Sequence, residues 1–241
     1  MFRLTLAERE ETERRTNVAM QLRDLDRFFV TADPHLGHER VRVIRGFDSQ
    51  LAHDNFLVRR MQSVLNEKST LIIVGDVSMN AKHLSPLSDV PGKKILISGN
   101  HDELWHRRSK SRSVRKALGS IGNYTPYFNE VVTSGVWFLD IQDLKTGDPG
   151  VVISHLPVVG DHQDTDRYQE VRPRKGTLPV LCGHVHAAWR TNNRQLNVGV
   201  DVNDFKPLPM RDVIQEVLAL PGFGANQDIS ASGPWSRFGL A

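Results

Sequence analysis

The strongest constraint in this sequence is a repeated pairing. A short apolar run of strand type ends, and a carboxylate, imidazole or amide follows at once. Phe28-Phe29-Val30-Thr31 leads into Asp33-Pro34-His35, and Leu71-Ile72-Ile73-Val74 leads into Gly75-Asp76. Ile95-Leu96-Ile97 leads into Gly99-Asn100-His101-Asp102. Downstream, Val151 to Ser154 precedes His155-Leu156-Pro157, and Leu178 to Cys182 precedes Gly183-His184-Val185-His186. Apolar runs this short, bounded by Gly, Pro and Asp, read as buried strands. Pro34 has no N–H for a ladder, so the chain must leave the sheet there. In an open α/β sheet the carboxyl ends of strands are where ligand sites form.

Residues 51–66 place Leu51, Phe56, Leu57, Met61 and Leu65 at helical spacing. The first half therefore has a β-α-β-α-β rhythm, which predicts a mostly parallel sheet. The second half is richer in strands, at Val131–Thr133, Val136–Ile141, Val151–Ser154, Leu178–Cys182 and Gln195–Val200, and ends in a helix from about Met210 to Leu220. The expected fold is α/β, with two mixed sheets packed face to face and helices outside. No internal repeat or linker divides the chain, so residues 1–220 are expected to form a single domain. Residues 221–241 are rich in Gly, Ser and Asn and read as a flexible tail. Residues 1–26 mix charged and apolar positions, as in a short helix or loose lead-in, and carry no apolar core of a secretory signal. No run approaches ~18 apolar residues, so no membrane span is expected. Cys182 is the single cysteine. It can form no disulfide within the chain, which fits a reducing compartment and a cytoplasmic location. The formal net charge of +3 suits a phosphate-bearing substrate without requiring one.

Seven ligand-type side chains follow the strands: Asp33, His35, Asp76, Asn100, His155, His184 and His186. Carboxylate, imidazole and amide donors without a thiolate cluster suit borderline divalent metals, Mn²⁺ first, with Fe, Zn or Ni as alternatives. Seven exceed the ~4 ligands of a structural zinc. They suit two ions ~3.5–4 Å apart that share a carboxylate. Each piece alone has a plainer explanation. Asp-x-His recurs by chance, Gly-Asp is a common turn, Asn100 or Asp102 can cap a helix, and a lone Ser-His is usually a core histidine. Their joint occurrence in this order, each past a strand, outweighs those explanations.

The series Asp33-x-His35, Gly75-Asp76, Gly99-Asn100-His101-Asp102, His155 and Gly183-His184-x-His186 resembles the calcineurin-like metallophosphoesterase superfamily. The resemblance runs from about Phe28 to Val217. Ala32-Asp33 with Gly37-His38, and Asn197-Val198-Gly199-Val200-Asp201, look most like a small bacterial and phage subgroup. The resemblance implies a four-layer αββα sandwich. It implies that Asp33, His35 and His186 hold a first metal, that Asn100, His155 and His184 hold a second, and that Asp76 bridges them. His101 would then stand beside the substrate as proton donor or charge stabiliser, oriented by Asp102. Two such metals lower the pKa of a bridging water so that hydroxide attacks phosphorus in line. The second block reads Gly75-Asp76-Val77-Ser78-Met79 rather than Gly-Asp-x-x-Asp. It lacks the Asp-Arg-Gly of the superfamily's protein phosphatases, so that activity is not expected.

Several residues fall outside this set. His38 and Arg45 could reach a substrate phosphate. His38 is retained as a substrate-binding candidate with Asn100 and His101, while Arg45 reads as a solvated arginine. Arg107-Arg108-Ser109-Lys110-Ser111-Arg112 with Arg115-Lys116 is a basic cluster that could guide nucleic acid, although no aromatics interleave it. The polar 159–177 loop carries Arg167, Arg172, Arg174 and Lys175 and is long enough to act as a lid. Cys182 reads as a small buried hydrophobe. The expected activity is phosphoester hydrolysis, with a phosphodiesterase of small molecules such as cyclic nucleotides first. A metal-dependent nuclease is the alternative, and a non-catalytic metal-binding scaffold the reading from another class. The oligomeric state is open.

Overall fold

The computed structural model describes residues 22–105, 119–133, 135–141 and 150–222. The lead-in before residue 22, the basic cluster at 107–116 and the tail from 223 lie outside the described residues. The segment Leu22–Arg27 is a 3-10 helix.

Two five-stranded mixed sheets are flanked by helices. The first contains β1 (Phe28–Thr31), β2 (Thr70–Val74), β3 (Lys93–Ile97), β4 (Glu130–Val132) and β10 (Leu208–Pro209), in the order β10-β1-β2-β3-β4. β1 to β4 run parallel and β10 pairs antiparallel with β1. The second contains β5 (Val136–Asp140), β6 (Gly150–Ser154), β7 (Val180–Cys182), β8 (Thr191–Asn192) and β9 (Gln195–Asn197), in the order β5-β6-β7-β9-β8. β6, β7 and β9 are parallel, with antiparallel β5 and β8 at the edges. β5, β7 and β9 are shorter than the sequence suggests. Pro179 has no N–H to extend β7 backwards. Past Asn197 the chain is shared between the sheets: Val198 N–H still donates to the Cys182 carbonyl of β7, while the Val198 carbonyl accepts from Ala32 of the first sheet.

Strand pleating sorts the apolar side chains. Ile72, Val74, Ile95 and Ile97 face the second sheet and meet Trp137, Leu139, Val151, Ile153, Leu181 and Leu196. Leu71, Ile73 and Leu96 face the other way, toward Leu57, Val58, Met61, Leu84 and Leu87. Each fully buried aliphatic side chain contributes ~1.5–3 kcal/mol, so a one-residue slip in β2 or β3 would forfeit several such terms. The outer face of β7 packs Val180 and Cys182 against Val158, Val185 and Trp189 from loops. A closing helix α3 (Met210–Ala219) inserts Met210, Val213, Ile214 and Val217 into the inter-sheet core at helical spacing.

Two helices follow β1. α1 (Glu39–Ile44), which the sequence reading leaves out, is capped by His38, whose Nδ1 accepts the Val41 N–H at 3.4 Å. α2 (Gln50–Gln62) begins after Ser49, whose hydroxyl accepts the Ala52 N–H. Its buried face is His53, Asp54, Leu57, Val58 and Met61, whereas Leu51 is exposed. The two polar members are buried because they serve the loop after β1: Asp54 accepts the Gly37 N–H at 3.1 Å and pairs with His53 at 2.8 Å.

Candidate metal centre

The carboxyl ends of β1, β2, β3, β6 and β7 meet along one seam. Pairing between β1 and β2 continues past both strands: Asp33, His35 and Leu36 donate N–H bonds to the carbonyls of Gly75, Asp76 and Val77. The two sheets are joined there too. Ala32 N–H donates to the Val198 carbonyl at 3.1 Å, and Val200 N–H donates back to Ala32 at 3.0 Å. Gly183 N–H donates to the His155 carbonyl at 3.1 Å. The segments that follow the strands are thus fixed by backbone bonds before any side chain is considered.

Five of the seven proposed ligands, Asp33, His35, Asp76, His184 and His186, are non-glycine residues with φ between 47° and 71°. This left-handed region is uncommon for side-chain-bearing residues and concentrates at functional sites. The carboxylates and imidazoles point into one space because the backbone turns left-handed at each, not because alternate residues of a pleated strand share a face. Gly99 is needed for a different reason: a Cβ there would collide with the backbone nitrogen and Oδ1 of Asp76.

All seven residues converge. Asp33, His35 and His186 form one group and Asp76, His155 and His184 a second, each with donor atoms within 4.8 Å of one another. Asn100 joins the second, its Oδ1 lying 3.0 Å from His155 Nε2. Asp76 Oδ2 lies 3.3 Å from His155 Nε2 and 3.7 Å from His35 Nε2, so it stands between the groups. His184 N–H donates to both oxygens of Asp33, at 3.1 and 3.0 Å.

This donor set fits divalent metal ions. Both ring nitrogens of buried His35 lack a hydrogen-bond partner among the described residues, an arrangement that costs free energy unless a ligand completes it. The other imidazoles each have one nitrogen held outward: His155 Nδ1 bonds the Val74 carbonyl at 2.9 Å, and His186 Nδ1 bonds Asp201 at 3.0 Å. Such outer bonds set the tautomer and aim the remaining nitrogen at a metal. Burial holds His35 well below the ordinary histidine range and pushes His184 down to about 3, so both are neutral, as ligands must be. Burial opposes charge on Asp76 too, but His155, His101 and His35 together outweigh it and keep the carboxyl well below the usual range. Burial pushes Asp33 up to about 6, against the pull of His155 and His186. His155 is raised to about 9, because Asp76 and Asp33 overcome its desolvation, so as a ligand it would have to release a proton when a metal binds.

His101 borders the second group. Its backbone N–H donates to Asp76 Oδ1 at 2.8 Å, and its ring, 37% exposed, has Nε2 3.9 Å from Asp76 Oδ2. Burial lowers its pKa against the attraction of Asp76. The half-buried His38 ring lies 5.9 Å from His101 and 5.3 Å from His35. Asp102, expected to orient His101, is engaged by the backbone. Both Asp102 oxygens accept backbone N–H bonds, from Asp76 and Gly99 at 3.0 and 2.7 Å and from Val77 and Ser78 at 2.9 and 3.3 Å. Asp102 holds the turn that carries Asp76, and through it His101. Burial and the Asp76 charge push its carboxyl up to about 7, while the N–H donors pull the other way.

Arg45 differs from the sequence reading. It is not solvated: its side chain is 2% exposed and forms a bidentate pair with Asp201 at 2.8 and 2.8 Å. It also donates to the Asp33 and Pro34 carbonyls at 2.7 and 3.0 Å. Arg45→Ala would leave Asp201, 4% exposed, as a buried charge with, among the described residues, His186 opposite, at an expected cost of ~3–5 kcal/mol. Urea denaturation measures this, and a loss under ~1 kcal/mol would show that the pair is not a support of the centre. A third group joins Asp161 and His162 of the polar loop, which the sequence analysis does not single out, to His184. The visible signal was Gly160-Asp161-His162 opening the loop that contains Arg167. Cys182 is buried, with its thiol pushed up by burial.

Two mixed sheets whose joined carboxyl ends carry buried His/Asp groups able to bind metal define the metallophosphoesterase class. A family model described as calcineurin-like phosphoesterase matches residues 26–188. The chain belongs to that family of phosphoester hydrolases. The Gene 66 protein of Mycobacterium phage L5 is 32% identical over 198 residues, covering 78% of this chain and 92% of its own. The Gene 66 protein of Mycobacterium phage D29 is 28% identical, covering 78% and 95%. A crystal structure of a protein of unknown function from Aquifex aeolicus aligns with a TM-score of 0.53 at 21% identity, over 78% of this chain and 98% of that one. That likeness concerns the fold alone. No helix among the described residues is long and apolar enough to cross a membrane.

Proposed function

We propose that this protein is a dinuclear-metal-dependent phosphodiesterase that hydrolyses a small diester, with a cyclic nucleotide as the representative substrate. The observation that carries the reading is the position of Asp76 between two His/Asp groups, with the partly exposed His101 ring beside it. Asp33, His35 and His186 would hold one ion, Asn100, His155 and His184 the other, and Asp76 both; the mixed O and N donors favour Mn²⁺. Divalent ions there would supply Lewis-acid polarisation of phosphoryl oxygens and a nucleophilic water activated near neutral pH. The chain's own part is orientation and charge. Asp201 and the Val74 carbonyl hold His186 and His155, Asp102 holds the turn under Asp76, and His101 faces the developing charge or the leaving oxygen.

Paired guanidinium groups support a diester over a monoester. Arg45 and Arg167, which touch residues of the centre, are bound to Asp201 and Asp161. A diester brings one negative charge where a monoester brings up to two. Among the described residues, arginines beside the centre that are already paired suit the former.

The test is to strip the protein with EDTA, reload it with Mn²⁺ and assay bis-p-nitrophenyl phosphate, p-nitrophenyl phosphate, cyclic nucleotides, a dinucleotide and duplex DNA. Metal-dependent hydrolysis of the small diesters is expected. A preference for the monoester would overturn the diester reading, and cleavage of DNA above all else would make the protein a nuclease. A metal-loaded protein that cleaves none of them would be a scaffold.

A further inference from the structure

The 160–172 segment arranges its charges around one carboxylate. The Asp161 side chain is fully buried, 0% exposed, and pairs with Arg167 and Arg172 at 2.9 Å each. It also accepts the backbone N–H groups of His162 and Arg167, at 2.8 and 3.1 Å. Oδ1 also lies 3.3 Å from His162 Nδ1, and one contact leaves the loop: Oδ2 lies 3.3 Å from His184 Nε2. His162 Nδ1 grips the same residue through the His184 carbonyl at 2.9 Å.

We propose that Asp161 is the positioning residue of His184, the carboxylate that sets this imidazole for metal binding and so fastens the loop to the metal centre. The inference rests on the reading of His184 as a metal ligand. A neutral imidazole carries one N–H and one lone pair. With the N–H on Nε2 and directed at Asp161, the Nδ1 lone pair is left for the Asp76 and His155 group. His186 with Asp201 and His155 with the Val74 carbonyl follow the same pattern at 3.0 and 2.9 Å, so Asp161 supplies the acceptor that the third imidazole needs.

A competing bond makes that acceptor decisive. Arg167 Nη2 lies 3.2 Å from the same His184 Nε2. A guanidinium has donors and no acceptor. If Arg167 donates to Nε2, the proton moves to Nδ1 and the nitrogen needed by a metal is blocked. Asp161 resolves the conflict twice: it accepts the Nε2 proton, and it engages Arg167 through the other oxygen.

The experiment is calorimetric titration of Mn²⁺ into the EDTA-stripped full chain. Outer-shell carboxylates of metal-bound histidines typically govern ~10–100-fold of affinity, so Asp161→Ala should weaken one of two sites by about that factor. Asp161→Asn keeps an oxygen that can accept the Nε2 proton and should retain most of the affinity. Asp161→Ala combined with Arg167→Met removes the competing donor and should recover part of what Asp161→Ala loses. Trypsin cleavage after Arg167 should be suppressed by Mn²⁺ in the wild type and not in Asp161→Ala. Wild-type affinity at both sites in Asp161→Ala would overturn the proposal. So would equal losses in the Asn and Ala variants, which would make Asp161 a loop anchor only. His184→Ala separates the two ideas. Unchanged binding there overturns the ligand reading itself, whereas a loss there with wild-type binding in Asp161→Ala overturns only the positioning role.

Discussion

Asp76→Asn and Asp76→Ala should each lose most bound metal and fall in activity by roughly 10³-fold or more, since several kcal/mol of charge stabilisation leave with the ions and each ~1.4 kcal/mol is a factor of ten. The expectation follows from position. Asp76 Oδ2 lies 3.3 and 3.7 Å from imidazole nitrogens of His155 and His35, one from each ligand group, and 3.9 Å from that of His101 beside them. Its Oδ1 accepts the His101 N–H. The asparagine variant is the cleaner of the two. Asp76 has φ +51°, a conformation Asn tolerates better than Ala, and the amide oxygen can still accept the His101 N–H. Loss of metal in Asp76→Asn therefore reports the missing charge rather than a refolded turn. Elemental analysis of purified variants is the check, and a full complement of two ions in Asp76→Asn would remove the bridging assignment.

His101→Ala should separate substrates by their leaving groups. An acid beside the leaving oxygen matters when that oxygen is a sugar hydroxyl and matters little for p-nitrophenolate. General acid catalysis contributes ~10²–10⁴-fold, so hydrolysis of a cyclic nucleotide should slow by a factor in that range. Bis-p-nitrophenyl phosphate should slow far less. Metal content should stay at the wild-type level, because the His101 ring stands beside Asp76 rather than inside either ligand group. The pH dependence carries a sign. An acid must be protonated to act, and burial lowers the pKa of His101 from 6.5. For the poor leaving group, kcat/KM should therefore decline as pH rises through a value below 6.5, and His101→Ala should abolish that decline. Equal losses on both substrates would assign His101 to phosphoryl charge stabilisation. Loss of metal would place it among the ligands.

The strands and the ligand series were legible because the apolar runs are short, buried and punctuated by Gly, Pro and Asp. Phe28–Thr31 and Thr70–Val74 mark their own ends, and the polar residue past each end is the one that meets the others. The small elements were not legible. β8 and β10 have two residues each, too few for an alternation to register, and α1 depends on a histidine cap at His38. The partners of Arg45 and Asp102 are not legible, for a common reason. Sequence gives the type of a side chain but not its partner, and both partners lie far along the chain or on the backbone: Asp201 for Arg45, and four amide groups for Asp102. Asp161 is hidden in the same way, inside a loop whose polarity reads as solvent exposure although Asp161, Arg167 and Arg172 are turned onto each other and onto His184.

The central claim is that two metal ions lie on either side of Asp76, and anomalous diffraction from a Mn²⁺-soaked crystal tests it most directly. The account predicts two peaks ~3.5–4 Å apart. One should lie among Asp33, His35 and His186, the other among Asn100, His155 and His184, with the Asp76 carboxylate touching both. A single peak, or a peak held by Asp161 and His162 with nothing beside Asp76, would contradict it.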